Sequence, residues 1–394
     1  MPLFPVVGAS LLSAAASLPL HLMPLVVVAV VAESRLAEAQ AGWIASAYML
    51  GQLFAVLALP GIKVSRILRW QALVAVAVLL VTLWVSKSPQ RSTLLLSWLV
   101  IGMICGTLHF SATATAAATT DRRTAFALRM AMSSLVGGSV IVGLQLMRGL
   151  VSYSALATQL TVAFAVIAGV GLLLYRAPEA MGSAPLLAES EPAKGAVPRT
   201  RASLGRLAGL FVLFVLFVGQ HGLWAFAVQG AQQRGVMLDH VAYAVAACKL
   251  IAGAVVLASV VRHSSTRPDS PYSLLISGLS VMVGGAGFAF TENVVIFWLA
   301  LLSWEVGFSV LSARLQAMTA QDNPRMAGMW MTGAIFLGAA TGPALSGLII
   351  RADLFWAYVV FAGVSALIPH GWAVVKAQEK PHFGQRVARY KTGE

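Results

Sequence analysis

Long apolar runs separated by short charged breaks organise this chain. Residues 1–32, 40–62, 70–86, 92–120, 130–147, 149–175, 207–233, 270–291, 326–350 and 354–375 contain no Asp, Glu, Lys or Arg. Two further runs, 237–261 and 293–313, carry Lys249 and Glu305 within them. A helix of about 20 apolar residues crosses the hydrocarbon of a bilayer. In lipid every backbone polar group must be paired internally, so each span is a helix or a strand of a closed barrel. Barrel strands alternate in period two over about 10 residues. These runs are longer and apolar on every side, so the pattern predicts helices. The expected fold is an all-α membrane protein with twelve transmembrane helices in two pseudo-symmetric six-helix bundles. The spans are expected near 4–31, 40–62, 70–86, 92–116, 128–150, 153–175, 206–230, 237–261, 272–290, 292–316, 325–350 and 353–376.

A polar segment divides these runs six and six. Residues 177–205 carry Pro178, Ser183, Glu189, Glu191, Pro192 and Lys194 and read as a cytoplasmic linker. The expected organisation is an N-terminal bundle over 1–176, the linker, a C-terminal bundle over 206–378 and a basic cytoplasmic tail over 379–394, disordered or lipid-facing. The halves read as a diverged duplication: His21 and His221 lie at matching depths of the first and seventh spans, 200 residues apart. Internal repeats around a central site build many secondary transporters.

Composition agrees with the pattern. The chain is 59% hydrophobic and 10% charged, where soluble domains carry roughly 25% charged residues. Its formal charge of +13 could suggest a nucleic-acid partner, but the distribution points to a membrane. With the first span starting inside, Arg122, Arg123, Arg129, Arg199, Arg262, Lys376 and fourteen other Lys/Arg fall on one face, 20 in all, against six on the other. The positive-inside rule then places both termini in the cytoplasm, in the cytoplasmic (inner) membrane, and anionic lipid accounts for the basic excess. The N-terminus lacks the basic n-region of a signal peptide, and its apolar run is too long for one, so it reads as the first span. Cys105 and Cys248 both fall in mid-span, which excludes a disulfide framework.

The segment Gly42-Trp-Ile-Ala-Ser-Ala-Tyr-Met-Leu-Gly51, followed by Gly61-Ile-Lys-Val-Ser-Arg66-Ile-Leu-Arg69, resembles the second span and following loop of the major facilitator superfamily. That loop reads roughly G-x-x-x-D-R-x-G-R in the family. Here Gly61, Arg66 and Arg69 match, and Ser65 and Leu68 replace the aspartate and second glycine. The resemblance covers essentially the whole chain. Two antiporter motifs are absent: no arginine precedes Gly102 and Gly106 in the fourth span, and Gly137, Gly138 and Gly143 occur without proline in the fifth. A related pattern, Gly338-Ala-Ala-Thr-Gly342-Pro343, lies in the eleventh. The resemblance implies that the first, fourth, seventh and tenth spans line a transport cavity. His21, His109, His221 and Glu305 fall one on each of those spans.

An ionisable residue inside a span marks a functional site by default, since a charge at the bilayer centre costs about 2.5–3.5 kcal/mol. The candidates are His21, His109, His221, Lys249 and Glu305, with Trp224 beside His221 and Ser309 one turn from Glu305. Histidine exchanges protons near physiological pH, so Glu305 with a histidine could couple a proton gradient to transport. Lys249 and protonated histidines could hold an anion. Bland readings stand beside these: hydrogen-bonded packing histidines, and a structural Lys249–Glu305 pair. A rival is transport of a transition metal or metal chelate (a metallophore) by the three histidines and Glu305, with Met23 and Cys105 as softer neighbours. No short metal-ligand spacing supports it, and no metal site is assigned.

No G-x-x-x-x-G-K-[ST] loop or catalytic constellation occurs, so neither ATP, a cofactor nor enzymatic chemistry is expected. The expected function is secondary active transport of a small polar or anionic organic solute by alternating access, proton-coupled, by a monomer. A non-transporting scaffold or sensor is a weaker alternative.

Overall fold

The computed structural model of the protein describes residues 3–34, 38–58, 91–147, 152–175, 199–262, 271–322, 327–352 and 354–392. Every regular element among them is helical. The first half comprises α1 (Leu3–His21), α2 (Met23–Ser34), α3 (Glu38–Ala58), α4 (Arg91–Ala118), α5 (Arg122–Leu146) and α6 (Tyr153–Leu174). The second comprises α7 (Arg199–Ala225), α8 (Ala227–Gln233), α9 (Leu238–Arg262), α10 (Pro271–Phe290), α11 (Val294–Asp322), a π-helical turn (Ala327–Met331), α12 (Thr332–Arg351) and α13 (Phe355–Thr392). Eleven helical stretches among the described residues are long and apolar enough to cross a membrane. The third expected span, 70–86, and the loop residues Gly61, Arg66 and Arg69 lie outside the described residues.

Local sequence explains the breaks. Asp121 caps α5 by accepting from the Thr124 N–H, and Ser152 caps α6 by accepting from the Ala155 N–H. Gly235, at φ +84°, makes the turn that ends the α8 segment, a conformation glycine adopts without steric cost. The first span is interrupted where α1 gives way to α2 at Leu22. Pro24 has no N–H to offer the carbonyl of Leu20 four residues back, so the normal helical bond is missing there.

Two expected boundaries shift. Helix α7 starts at Arg199, inside the segment read as linker, and α13 runs on to Thr392 through the tail expected to be disordered or lipid-facing. Extending a helix costs far less than starting one. Charge ended the apolar pattern, but not the helices.

Within the first half α1 packs on α4, α5 and α6, and α3 packs on α4. Within the second, α12 and α13 pack on α7, and α11 on α9 and α10. The halves meet where α5 lies on α9 and α11, and where α3 lies on α12. Small residues set these separations. A Cβ at Gly102 would collide with the Tyr48 carbonyl oxygen of α3, and one at Gly106 would lie 2.6 Å from the Gln52 carbonyl oxygen. Across the halves, a Cβ at Gly138 would sit 2.9 Å from the Ala246 carbonyl oxygen. One at Gly253 would sit 3.0 Å from that of Ala131. Such stripes let backbones approach where lipid supplies no hydrophobic drive for association.

Candidate functional site between the two halves

A cavity of about 90 Å³ lies between the halves. Its walls come from α1, α3, α4 and α5 on one side and from α7, α11 and α12 on the other. The first-, fourth-, seventh- and tenth-span helices α1, α4, α7 and α11 all contribute, joined by α3, α5 and α12.

Three of the expected site residues, His21, His109 and His221, reach this cavity. His109 on α4 is held by α1: Ser13 Oγ lies 3.1 Å from its Nδ1 and Ser17 Oγ 3.4 Å from its Nε2. Ser17 also donates to the Ser13 carbonyl at 2.9 Å. With that hydroxyl proton engaged, the network is satisfied by an Nε2–H imidazole donating to Ser17 and a Ser13 hydroxyl donating to Nδ1; the tautomer is assigned from these partners. His21 Nε2 shares a 2.8 Å hydrogen bond with Ser133 Oγ of α5. Gly137 makes room for it, since a Cβ there would lie 2.6 Å from the imidazole Cδ2. His221 stacks on Phe217, ring centroids 4.9 Å apart, and its buried Nδ1 has no hydrogen-bond partner. Gln52 Oε1 and Thr332 Oγ1 are buried and unpartnered on the same walls.

Lys249, Glu305, Trp224 and Ser309 do not line the cavity. Lys249 Nζ donates to Glu305 Oε1 at 2.9 Å, both side chains about 95% buried, so the pair neutralises itself inside the second half. The ammonium also lies 4.5 Å from the Trp224 ring centroid. Trp224 stacks on Trp304 (5.3 Å, 8°), and Trp304 on Phe308 (5.5 Å, 11°). Gln220 fixes Trp304 by accepting its indole N–H at 2.7 Å. Trp224 Nε1–H donates at 3.1 Å to the Leu20 carbonyl that Pro24 leaves without its helical donor. A sequence signature in one half thus creates an acceptor that the other half fills. Ser309 is buried on α11.

The site residue that the charge pattern conceals is Arg129. Counted on the basic face of the sequence, it sits two helical turns inside α5, 8% exposed, on the cavity wall. Its guanidinium donates to Thr113 Oγ1 and, at 2.5 Å across the halves, to Gln316 Oε1. It also lies 5.4 Å from the Phe126 ring centroid. The arginine count per face cannot separate a residue at a helix mouth from one two turns within. Its distance from Arg122, seven residues on the same helix, is the signal that does.

Among the described residues no three His, Cys, Asp or Glu side chains gather as a metal-ligand set. His109 and His21 are each held by hydroxyl groups of their own neighbours.

No family model and no curated protein matches the chain. Solved structures do. The human organic anion transporter MFSD10 (TETRAN) aligns with a TM-score of 0.64 at 16% identity, over 94% of this chain and 98% of that one. The nucleoside transporter NupG aligns at 0.65 and 14%, over 95% and 98%. The proton:xylose symporter XylE, bound to 6-bromo-6-deoxy-D-glucose, aligns at 0.64 and 14%, over 96% and 94%. Eleven membrane-length helices, and a cavity walled by both halves, therefore belong to a chain with the fold of the major facilitator superfamily transporters.

Proposed function

We propose that the protein is a secondary active transporter that moves a small polar or anionic organic solute across the cytoplasmic membrane by alternating access. The observation that carries this reading is the position of the cavity. It lies between halves that touch at two levels, through Trp224 to Leu20 and through Arg129 to Gln316. Contacts at two levels around one central site are what alternating access makes and breaks in turn. The similar structures include transporters of an organic anion, of nucleosides and of xylose. In this reading twelve spans form two six-helix bundles joined by the 177–205 segment. Both termini face the cytoplasm, and the monomer is the working unit.

Transport is driven by protons. Glu305, paired with Lys249 next to the stack that ends on the cavity residue Phe308, carries the coupling proton. The three cavity histidines are further exchange sites. The test is accumulation of labelled organic acids, sugars and nucleosides in proteoliposomes under an imposed pH gradient. Glu305→Gln is expected to lose uphill accumulation and retain downhill exchange. Full gradient-driven accumulation by the variant overturns the proton role. If no solute moves faster than through protein-free vesicles, the transporter reading fails.

A further inference from the structure

Among the described residues two buried cations, Arg129 and Lys249, lie in the membrane-spanning part of this protein, and the protein treats them differently. Lys249 is matched by Glu305 at 2.9 Å. Arg129 is equally interior, but no described carboxylate pairs with it; Thr113, Gln316 and the face of Phe126 are its partners, all neutral. A guanidinium does not give up its proton in a protein, and a buried charge is normally paired. Arg129 is also the only permanently charged group among the described residues of the cavity wall, and no carboxylate lines that wall.

We infer that Arg129 anchors the carboxylate of a monoanionic organic cargo that also bears a neutral hydrogen-bonding group. The word cargo rests on the transporter reading; the anion site does not. Guanidinium has five N–H donors, of which Thr113 and Gln316 engage one each. Enough remain for the paired N–H···O geometry that carboxylates take from arginine. One fixed positive charge balances one negative charge, so a dianion leaves a charge uncompensated in a largely apolar cavity. The neutral group is met by Gln52 Oε1, His221 Nδ1 and Thr332 Oγ1, three buried polar atoms without partners that lie on α3, α7 and α12. An apolar cargo leaves all three unsatisfied. The carboxylate uses these remaining donors, so the bond to Gln316 Oε1 need not be displaced.

The test pairs hydroxy acids with their own amides on purified full-length protein: lactate with lactamide, mandelate with mandelamide, and malate as a dianion. Ligand-induced thermal stabilisation and calorimetry give affinities. At least one monoacid is expected to bind, with its amide and malate weaker by roughly 10- to 100-fold, the worth of a charged hydrogen bond. Arg129→Gln is expected to lose that preference by the same factor, whereas Gln316→Met retains it. Amides binding as well as acids, no monoacid binding, or equal losses in both variants overturn the inference. Arg129→Lys serves where Arg129→Gln does not fold: it keeps the charge without the fork, so a several-fold loss is expected, and unchanged binding counts against a paired geometry. Undiminished uptake of a neutral solute by Arg129→Gln proteoliposomes sinks the anchor and leaves the transporter standing. Acid binding with no uptake of any solute does the reverse.

Discussion

Removing one partner of the Lys249–Glu305 pair is expected to cost far more than removing both. The two side chains are 4% and 5% exposed and 2.9 Å apart, so neither charge has water to fall back on. Breaking a buried pair by deleting one partner typically costs about 3–5 kcal/mol, because the other charge stays buried alone. Here the Trp224 face, 4.5 Å from Nζ, keeps part of the stabilisation of the ammonium, up to about 2 kcal/mol in a desolvated site. Glu305→Leu should therefore cost about 2–4 kcal/mol. Lys249→Met together with Glu305→Leu replaces the pair by apolar side chains and should fall within about 1 kcal/mol of the native protein, or exceed it. Equilibrium unfolding in mixed micelles, run on the native protein, both single variants and the double, closes the cycle. A coupling energy of at least about 2 kcal/mol is expected. Additivity within about 0.5 kcal/mol, the scatter of independent sites, would refute the reasoning that each charge depends on the other.

Two further outcomes follow from named contacts. Trp224→Phe removes the donor to Leu20 and leaves that carbonyl unpaired between the halves. At about 0.5–1.5 kcal/mol this shifts the balance of open and closed states roughly 2- to 10-fold. Maleimide labelling of a cysteine placed at the cavity residue Ala339 should accelerate accordingly, against the low background of buried Cys105 and Cys248; an unchanged rate counts against the contact. Gly102→Val drives a side chain into the Tyr48 carbonyl and should cost on the order of 1–3 kcal/mol. A Cβ at Gly143 meets nothing within 4 Å, so Gly143→Val should leave the melting temperature nearly unchanged. Equal melting temperatures for the two variants would contradict close α3–α4 packing as the reason for the Gly102 glycine.

The span pattern was legible because hydropathy is a property of each segment alone, and needs no knowledge of neighbours. Convergence is not such a property. His21, His109 and His221 come to one cavity, but only coordinates show that Ser13 and Ser17 hold one and Ser133 another. The Lys249–Glu305 pair, weighed from sequence as a structural alternative, is present and lies apart from the cavity walls. Arg129 was hidden by a rule that sorts arginines by segment and ignores depth. The link from Pro24 to Trp224 required knowing that two positions about 200 residues apart adjoin. Helix ends at Arg199 and Thr392 were missed because an apolar pattern stops at the first charge, and a helix does not.

Ten tryptophans are distributed through the chain, and two of them, Trp224 and Trp304, lie face to face beside an ammonium group. One of that couple also touches the opposite half at Leu20. The molecule therefore carries an intrinsic optical gauge. Any rocking of one half on the other strains or frees a single indole of the couple, and its emission colour and yield report the motion without an added dye. Replacing the eight remaining indoles would leave a signal that reads the conformational cycle in real time.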